Sequence, residues 1–298
     1  MTATAVASLD APTRFEPPMH GAWTLLRSPL MIIGVMLITI LVLVGVFAPL
    51  IAPYDPEAVT GPALQQPSGA HWLGTDVPGR DIFSQLVYGA RASLVVALVG
   101  SSLALIGGIL LGALPALLGG RTDTLSNRLV VFMLALPSFA LLVLIGALAG
   151  PNEAAIILVV SFTGIAPNAR ILRSQALTLR DAGYVTAARG FGGGRLYVLR
   201  RHLLPGMGPQ LAVRWVEWAS TAVALQAALA FLGLGNPSTA SWGLMINRAL
   251  AQSNIYFSPM WVWWVLPAGF AVTLTILGFA FVGIAVEPAF NPRWLRSS

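Results

Sequence analysis

LMIIGVMLITILVLVGVFAPLI, from Leu30 to Ile51, holds no charge and one hydroxyl residue, Thr39. One helix crossing the hydrocarbon core of a bilayer needs about 20 consecutive apolar residues, and this run supplies them. Arg27 precedes it and Pro53 follows it. A cleaved signal peptide would be shorter, nearer the terminus, and would end on a small-residue site. The run is therefore expected to be retained as a first transmembrane helix over 30–52, after a cytoplasmic N-terminal segment over 1–29.

The rest of the 298 residues agrees: 56% are hydrophobic and 9% charged, against roughly 25% charged in an average soluble domain. Mean hydropathy is +0.78. All 17 basic residues are arginine, and the formal net charge is +6. These arginines border apolar runs, so no nucleic-acid partner is expected. There is no cysteine, hence no disulfide framework or thiolate chemistry. His20, His71 and His202 lie too far apart in sequence for a metal-ligand motif.

Five further runs are expected to span. Ala92–Gly120 holds the second, ending near Leu118, and Leu129–Ala149 the third. The fourth, Ala154–Ala169, has only sixteen uncharged residues and must borrow from its flanks. The fifth lies within Trp218–Leu232, taking in Glu217 if it starts earlier, and the sixth within Val262–Val286. The fold class is thus an all-α polytopic membrane protein with six transmembrane helices and both termini cytoplasmic. Its parts are an extracytoplasmic loop over 53–90, a five-helix core over 91–286 and a cytoplasmic tail over 287–298.

Arginine placement supports the count. With the N-terminus inside, the inner side holds Arg14, Arg27, Arg121, Arg128, the eight from Arg170 to Arg214, Arg293 and Arg296, fourteen in all. The outer side holds three, Arg80, Arg91 and Arg248. Such a bias sets orientation. Without the fourth span, the arginines of the C-terminus fall on the wrong side.

Small residues in the spans, Gly107, Gly108 and Gly112 in the second and Gly278 and Gly283 in the sixth, read as helix-packing faces. Pro115 and Pro137 are expected to kink or end their helices. In the outer loop, Asp76 and Asp81 lack a third metal ligand, so a folded cap leading into the second span is expected. Trp261, Trp263 and Trp264 read as an interfacial belt, and Trp242 as an anchor.

The segment 170–210 is too charged to span. Within it, YVTAARGFGGGRLYVLRRHLLP runs from Tyr184 to Pro205. Asp181 is a candidate N-cap. Tyr184, Ala187, Ala188 and Phe191 recur at helical spacing. Gly192, Gly193 and Gly194 stop the helix, Arg195 opens a basic segment, and Pro205 closes it. Two readings stand from the chemistry: a rigid knob on which a soluble partner docks, or a plain basic inner loop.

Here the sequence resembles bacterial ABC importer permeases. Their signature loop carries Glu-Ala-Ala, a glycine four residues after the last alanine, and a Leu-x-Leu-Pro-like end thirteen residues beyond that glycine. Thr186-Ala187-Ala188, Gly192 and the end Leu204-Pro205 match the spacing; Thr186 replaces the glutamate, and His202 stands where an aliphatic residue is common. More narrowly, the chain is similar to the second, C-type permease of the dipeptide, oligopeptide and nickel family. The similarity rests also on HWLGTDVPGRDIFSQLVYGARASL (His71–Leu94), ALAFLGLGNPSTASWGLMI (Ala228–Ile246) and FNPRW (Phe290–Trp294). Gly283 to Glu287 departs from the family, which often has an aspartate and an arginine there.

The resemblance implies a type I ABC importer permease fold with a cytoplasmic coupling helix, in a bacterial inner or plasma membrane. It implies four kinds of partner: a homologous B-type permease, two cytoplasmic ATPases, an extracytoplasmic solute-binding protein and the lipid bilayer. It also implies an ATPase-docking loop of Tyr184, Thr186, Ala187, Ala188, Phe191, Gly192, Leu204 and Pro205. Short peptides are the expected solute, with nickel or a nickel chelate as the alternative. No cofactor is expected on this chain; the ATPases would use ATP-Mg. The chain has no G-x-x-x-x-G-K-[ST] loop and no lysine. A channel or an intramembrane enzyme is the reading from another class. An enzyme should carry polar catalytic groups within its spans, and Glu217 is the one candidate.

Cysteines introduced at Ser68 and Ser297 test the orientation, because the chain supplies no background thiol. An impermeant thiol reagent added to intact cells should label Ser68→Cys and spare Ser297→Cys. Labelling of both, or of Ser297→Cys alone, overturns it.

Overall fold

The computed structural model describes residues 28–287, with the backbone alone for Arg195 and Leu196. The expectations for the two terminal segments, including FNPRW, lie outside the described residues. The described chain is helical outside its loops, and its only strand pairing among the described residues is two isolated antiparallel bridges in the cap, Val59 with Arg80 and Thr75 with Asp81. We name its principal helices α1 (Pro29–Val46), α2 (Ile82–Leu118), α3 (Gly120–Ala135), α4 (Ser138–Ala149), α5 (Glu153–Arg180), α6 (Gly183–Gly190), α7 (Leu204–Phe231), α8 (Trp242–Leu250) and α9 (Met260–Val286).

Four of these, α1, α2, α5 and α9, are long and apolar enough to cross a membrane alone. The pair α3 and α4 makes a fifth if taken as one span. The fourth run, short by sequence, belongs to a helix of 28 residues that continues past Ala169 to Arg180. Its flanks are lent by Asn152, whose Oδ1 accepts the Ala154 N–H at 2.9 Å, and by a charged C-terminal end. The third run is broken: α3 and α4 meet at Leu136-Pro137 with an 83° bend. Proline supplies no N–H and displaces the residue before it from helical angles; Leu136 sits at ψ 141°.

α2 begins at Ile82, inside the stretch expected to be loop, and carries two π-helical segments, Val96–Gly100 and Ile109–Ala113. The second lies just ahead of Pro115, which does not end the helix. The carbonyl of Leu111, which the N–H four residues on would reach were that residue not proline, accepts the Ser126 hydroxyl at 2.5 Å. A side chain from α3 thus replaces the donor that Pro115 lacks.

Helix contacts follow the glycines. A Cβ added at Gly108 would lie 2.7 Å from the Asn168 Cβ, and one at Gly112 would collide with the Ala169 carbonyl, so α2 and α5 touch backbone to backbone. A Cβ at Gly34 would stand 2.8 Å from the Gly278 carbonyl oxygen, which seats α1 on α9. Gly283 is different: an added Cβ would meet only ordinary contacts with Val216 and Glu217. Asp123 and Arg173 join α3 to α5 in a two-pronged ion pair of 2.7 and 2.9 Å, the geometry that suits a planar guanidinium.

Gly112→Ala should lower the stability of the detergent-solubilised protein by about 1–3 kcal/mol, the ordinary cost of overpacking, seen as a lower thermal midpoint. Gly269→Ala is the control, since nothing lies within 4 Å of the added Cβ. Equal midpoints for the two variants would remove the close α2–α5 approach.

Candidate functional site

The segment that joins α5 to α7 builds a projecting unit. α5 ends at Arg180 with Asp181 as its C-cap, and Ala182 is the N-cap of α6. This corrects the expected role of Asp181: its φ of −94° and ψ of 3° close the preceding helix and leave the next to start one residue later. The Arg180 Nη1 donates to the Ala116 carbonyl at 3.2 Å, tying the end of α5 to that of α2.

α6 turns one side chain inward. Val185 is 0% exposed and packs in a cluster with Leu172, Ala176, Val198, Leu203 and Met207. The expected apolar row missed this residue, because burial depends on what the helix lies against. The row itself faces out: Tyr184 and Ala187 are exposed, Ala188 is half-buried, and Phe191 is 93% exposed. Thr186 is exposed and its hydroxyl donates to the Ala182 carbonyl at 3.3 Å.

The helix stop is as expected and its geometry is specific. Phe191 is the C-cap and Gly192 follows at φ +85°. The Gly193 N–H donates to the Ala188 carbonyl at 2.9 Å and the Gly192 N–H to the Arg189 carbonyl at 3.0 Å. This pair of bonds is the Schellman motif, which wants glycine at the left-handed position. Nothing lies within 4 Å of a Cβ built at Gly192, so its outer side is open.

Pro205 does not close the basic segment. Arg195–Val198, the π segment Leu199–Leu203 and α7 run on as one helical stretch, with Pro205 in the first turn of α7. The π segment directly ahead of it shifts the backbone pairing, with the Leu204 N–H donating to the Leu199 carbonyl five residues back, and the helix passes through a residue that has no N–H to give. Leu204 is half-buried and Pro205 exposed, at the foot of α7 rather than beside Phe191. Tyr184 reaches this foot: its ring centroid is 6.1 Å from that of His202.

At the other end of the bundle, Asp76 and Asp81 hold the cap together. Asp81 Oδ2 accepts the Ser84 N–H and hydroxyl, both at 2.7 Å, and its Oδ1 lies 2.9 Å from His71 Nδ1. Asp76 accepts the Arg80 N–H at 2.7 Å, Arg80 Nε at 3.0 Å and Gln85 Nε2 at 3.1 Å. Among the described residues no group of three or more His, Cys, Asp or Glu could hold a metal ion. Trp242 is buried, and its Nε1 donates to the Leu86 carbonyl at 2.9 Å, as befits an anchor. Trp264 is buried too, so of the expected aromatic belt Trp261 is the exposed member. Glu217, the one enzyme-like carboxylate, is ion-paired with Arg214 on its own helix.

The family model for the binding-protein-dependent transport system inner membrane component matches residues 104–296. A second, for the N-terminal transmembrane domain of oligopeptide transport permease C, matches residues 18–70. The chain is 35% identical over 273 residues to the probable D,D-dipeptide transport system permease protein DdpC of Escherichia coli (strain K12), covering 91% of this chain and 90% of that one. It is 34% identical over 287 residues to the dipeptide transport system permease protein DppC of Alkalihalophilus pseudofirmus, covering 95% and 92%. A putative peptide transport system permease protein of Brucella suis biovar 1 is 34% identical over 297 residues, covering 97% and 98%.

Substituting Gly192 separates backbone strain from bulk. Gly192→Ala should loosen the end of α6 by about 1 kcal/mol, whereas Gly192→Asn should cost a fraction of that, because asparagine visits the left-handed region. Amide hydrogen exchange at Gly193 should quicken in the alanine variant and change little in the asparagine variant. The reverse order would refute the cap.

Proposed function

We propose that this chain, which belongs to the family of binding-protein-dependent transport system inner membrane components, is one of two paired permeases of a short-peptide importer. The similarity to dipeptide and peptide permeases over nine-tenths or more of the chain carries the reading. Its partners would be a homologous permease, two cytoplasmic ATPases and an extracytoplasmic binding protein.

The proposed topology has six spans with both termini in the cytoplasm of a bacterial inner membrane. α7, fifth in chain order, is the span that brings the count to six. It has 28 residues, about 42 Å at 1.5 Å per residue, and its two charged residues, Arg214 and Glu217, lie near its middle and are paired with each other. The fourteen-to-three arginine bias supports the orientation.

α6 is the proposed coupling helix. Phe191 is a large aromatic side chain left in water at the tip of a helix whose root is buried, and a protein partner would cover it. Tyr184, Thr186, Ala187, Ala188 and Gly192 would share that contact, with Leu204 and Pro205 supporting it from the foot of α7. Closure of the ATPase pair around ATP would displace α6, and the buried cluster at Val185 would pass the displacement to α5 and α7. The permease pair then converts between inward-open and outward-open states. Each ligand biases that equilibrium only by its differential affinity for the two.

The test is the complete complex in lipid, with both permeases, both ATPases and the cognate binding protein. A mixed pool of two- to five-residue peptides should stimulate ATP hydrolysis; nickel, with or without histidine as chelator, should not. Gly192→Asp keeps a residue that tolerates the cap geometry but sets a charge on the docking side. It should abolish transport and most solute-stimulated hydrolysis in properly assembled complex. Stimulation by nickel-histidine alone would reverse the choice of solute. Full coupling in Gly192→Asp would remove α6 from the docking site.

A further inference from the structure

At the opposite end of the bundle from α6, a cleft of about 280 Å3 opens between α2, the start of α5 and the segment ahead of α8. Arg91 on α2 and Glu153, the first residue of α5, both line it, together with Tyr88, Ser238 and Thr239. The Arg91 guanidinium carbon lies 6.0 Å from the centroid of the Tyr88 ring, within reach of a cation–π contact. Among the described residues neither Arg91 nor Glu153 belongs to an ion pair. The two charges therefore share a concave space without a direct ion pair between them. Glu153 is half-buried, and a half-buried carboxylate gains from a cation that fills the gap.

A ligand that matches this arrangement carries an anion at one end and a cation at the other, and is small. We propose that the cleft holds the two termini of a short peptide, with Arg91 taking the α-carboxylate and Glu153 the α-ammonium. Tyr88 and Ser238, which also line the cleft, are the polar side chains available to the peptide group between them. Recognition of this kind reads only what all free peptides share. It leaves the side chains unread, which suits a path that must pass many sequences. A bare metal ion gains nothing from Arg91, and a peptide blocked at both ends loses both charged contacts. The inference rests on the peptide-importer reading and adds to it a place on this chain where the solute is held.

The experiment uses the complete reconstituted complex and a dipeptide with free termini and a benzophenone side chain. Uptake of unlabelled dipeptides by the wild type checks the transport reading on its own. Photolysis should attach the probe within the Tyr88–Val95 or Ser238–Ala240 stretches, mapped by mass spectrometry, and excess unlabelled dipeptide should compete. Arg91→Gln and Glu153→Gln should each cut labelling about tenfold, as expected for one lost charge-assisted hydrogen bond. The same probe with an acetylated amine and an amidated carboxylate should label as poorly in the wild type. Arg91→Lys, which keeps the charge, should restore most labelling; co-purification with the ATPases verifies assembly of each variant. Attachment elsewhere in the complex, or attachment here indifferent to both substitutions and to blocking, overturns the cleft. Absence of uptake by the wild type would instead overturn the transport reading.

Discussion

In the hydrocarbon of a bilayer there is no water to pair with a backbone carbonyl, so every interruption of a helix must be repaired from within the protein. This constraint organises the described bundle. Pro115 removes a donor, and Ser126 on α3 supplies one to the Leu111 carbonyl. The π segments of α2 absorb irregularity without breaking the helix. Where a repair is not made, at Leu136-Pro137, the chain bends by 83° instead. Once the helices are closed on themselves, lipid gives them little reason to associate, and close approach must do the work. Gly108 and Gly112 let α2 reach the backbone of α5, and Gly34 lets α1 reach that of α9.

The same economy roots α6 in the bundle. It is only eight residues long, too short to be stable alone, and Val185 gives it a root in the core. That core also contains Ala116 of α2, Leu172 and Ala176 of α5 and Met207 of α7. The Schellman cap fixes the other end of α6, and the Arg180 bond to the Ala116 carbonyl fixes the turn before it. α6 is thereby held to the long helices at its root and at both ends.

Much of this was legible in the residues. Apolar runs located the long helices because lipid demands unbroken hydrophobicity, and Gly107 to Gly112 marked a contact face because only small side chains allow it. The spacing from Ala188 to Gly192 marked the end of α6, since a left-handed position calls for glycine. What escaped were features set by tertiary contact. Asp181 has a capping side chain, yet backbone angles chosen by α5 made it a C-cap. Pro205 has the chemistry of a helix breaker, yet behind the π segment Leu199–Leu203 the helix runs on through it. Val185 stood outside the apolar row, and only the neighbouring α5 and α7 reveal it as the buried one. The inward face of Trp264 was likewise invisible beside Trp261 and Trp263.

α1 is the least buried of the four long apolar helices. Only 11% of it is buried, and it is apolar on every side, so it is at home in lipid without any companion. Its seat, Gly34 against Gly278 and Val282, lies on α9, the last of the described helices. A ribosome delivers α1 to the bilayer long before that seat exists. Until then α1 can lean only on the start of α2, where a Cβ added at Gly45 would lie 3.0 Å from the Leu94 side chain. The folding of this chain thus closes as a ring, in which the last helix to arrive retrieves the first.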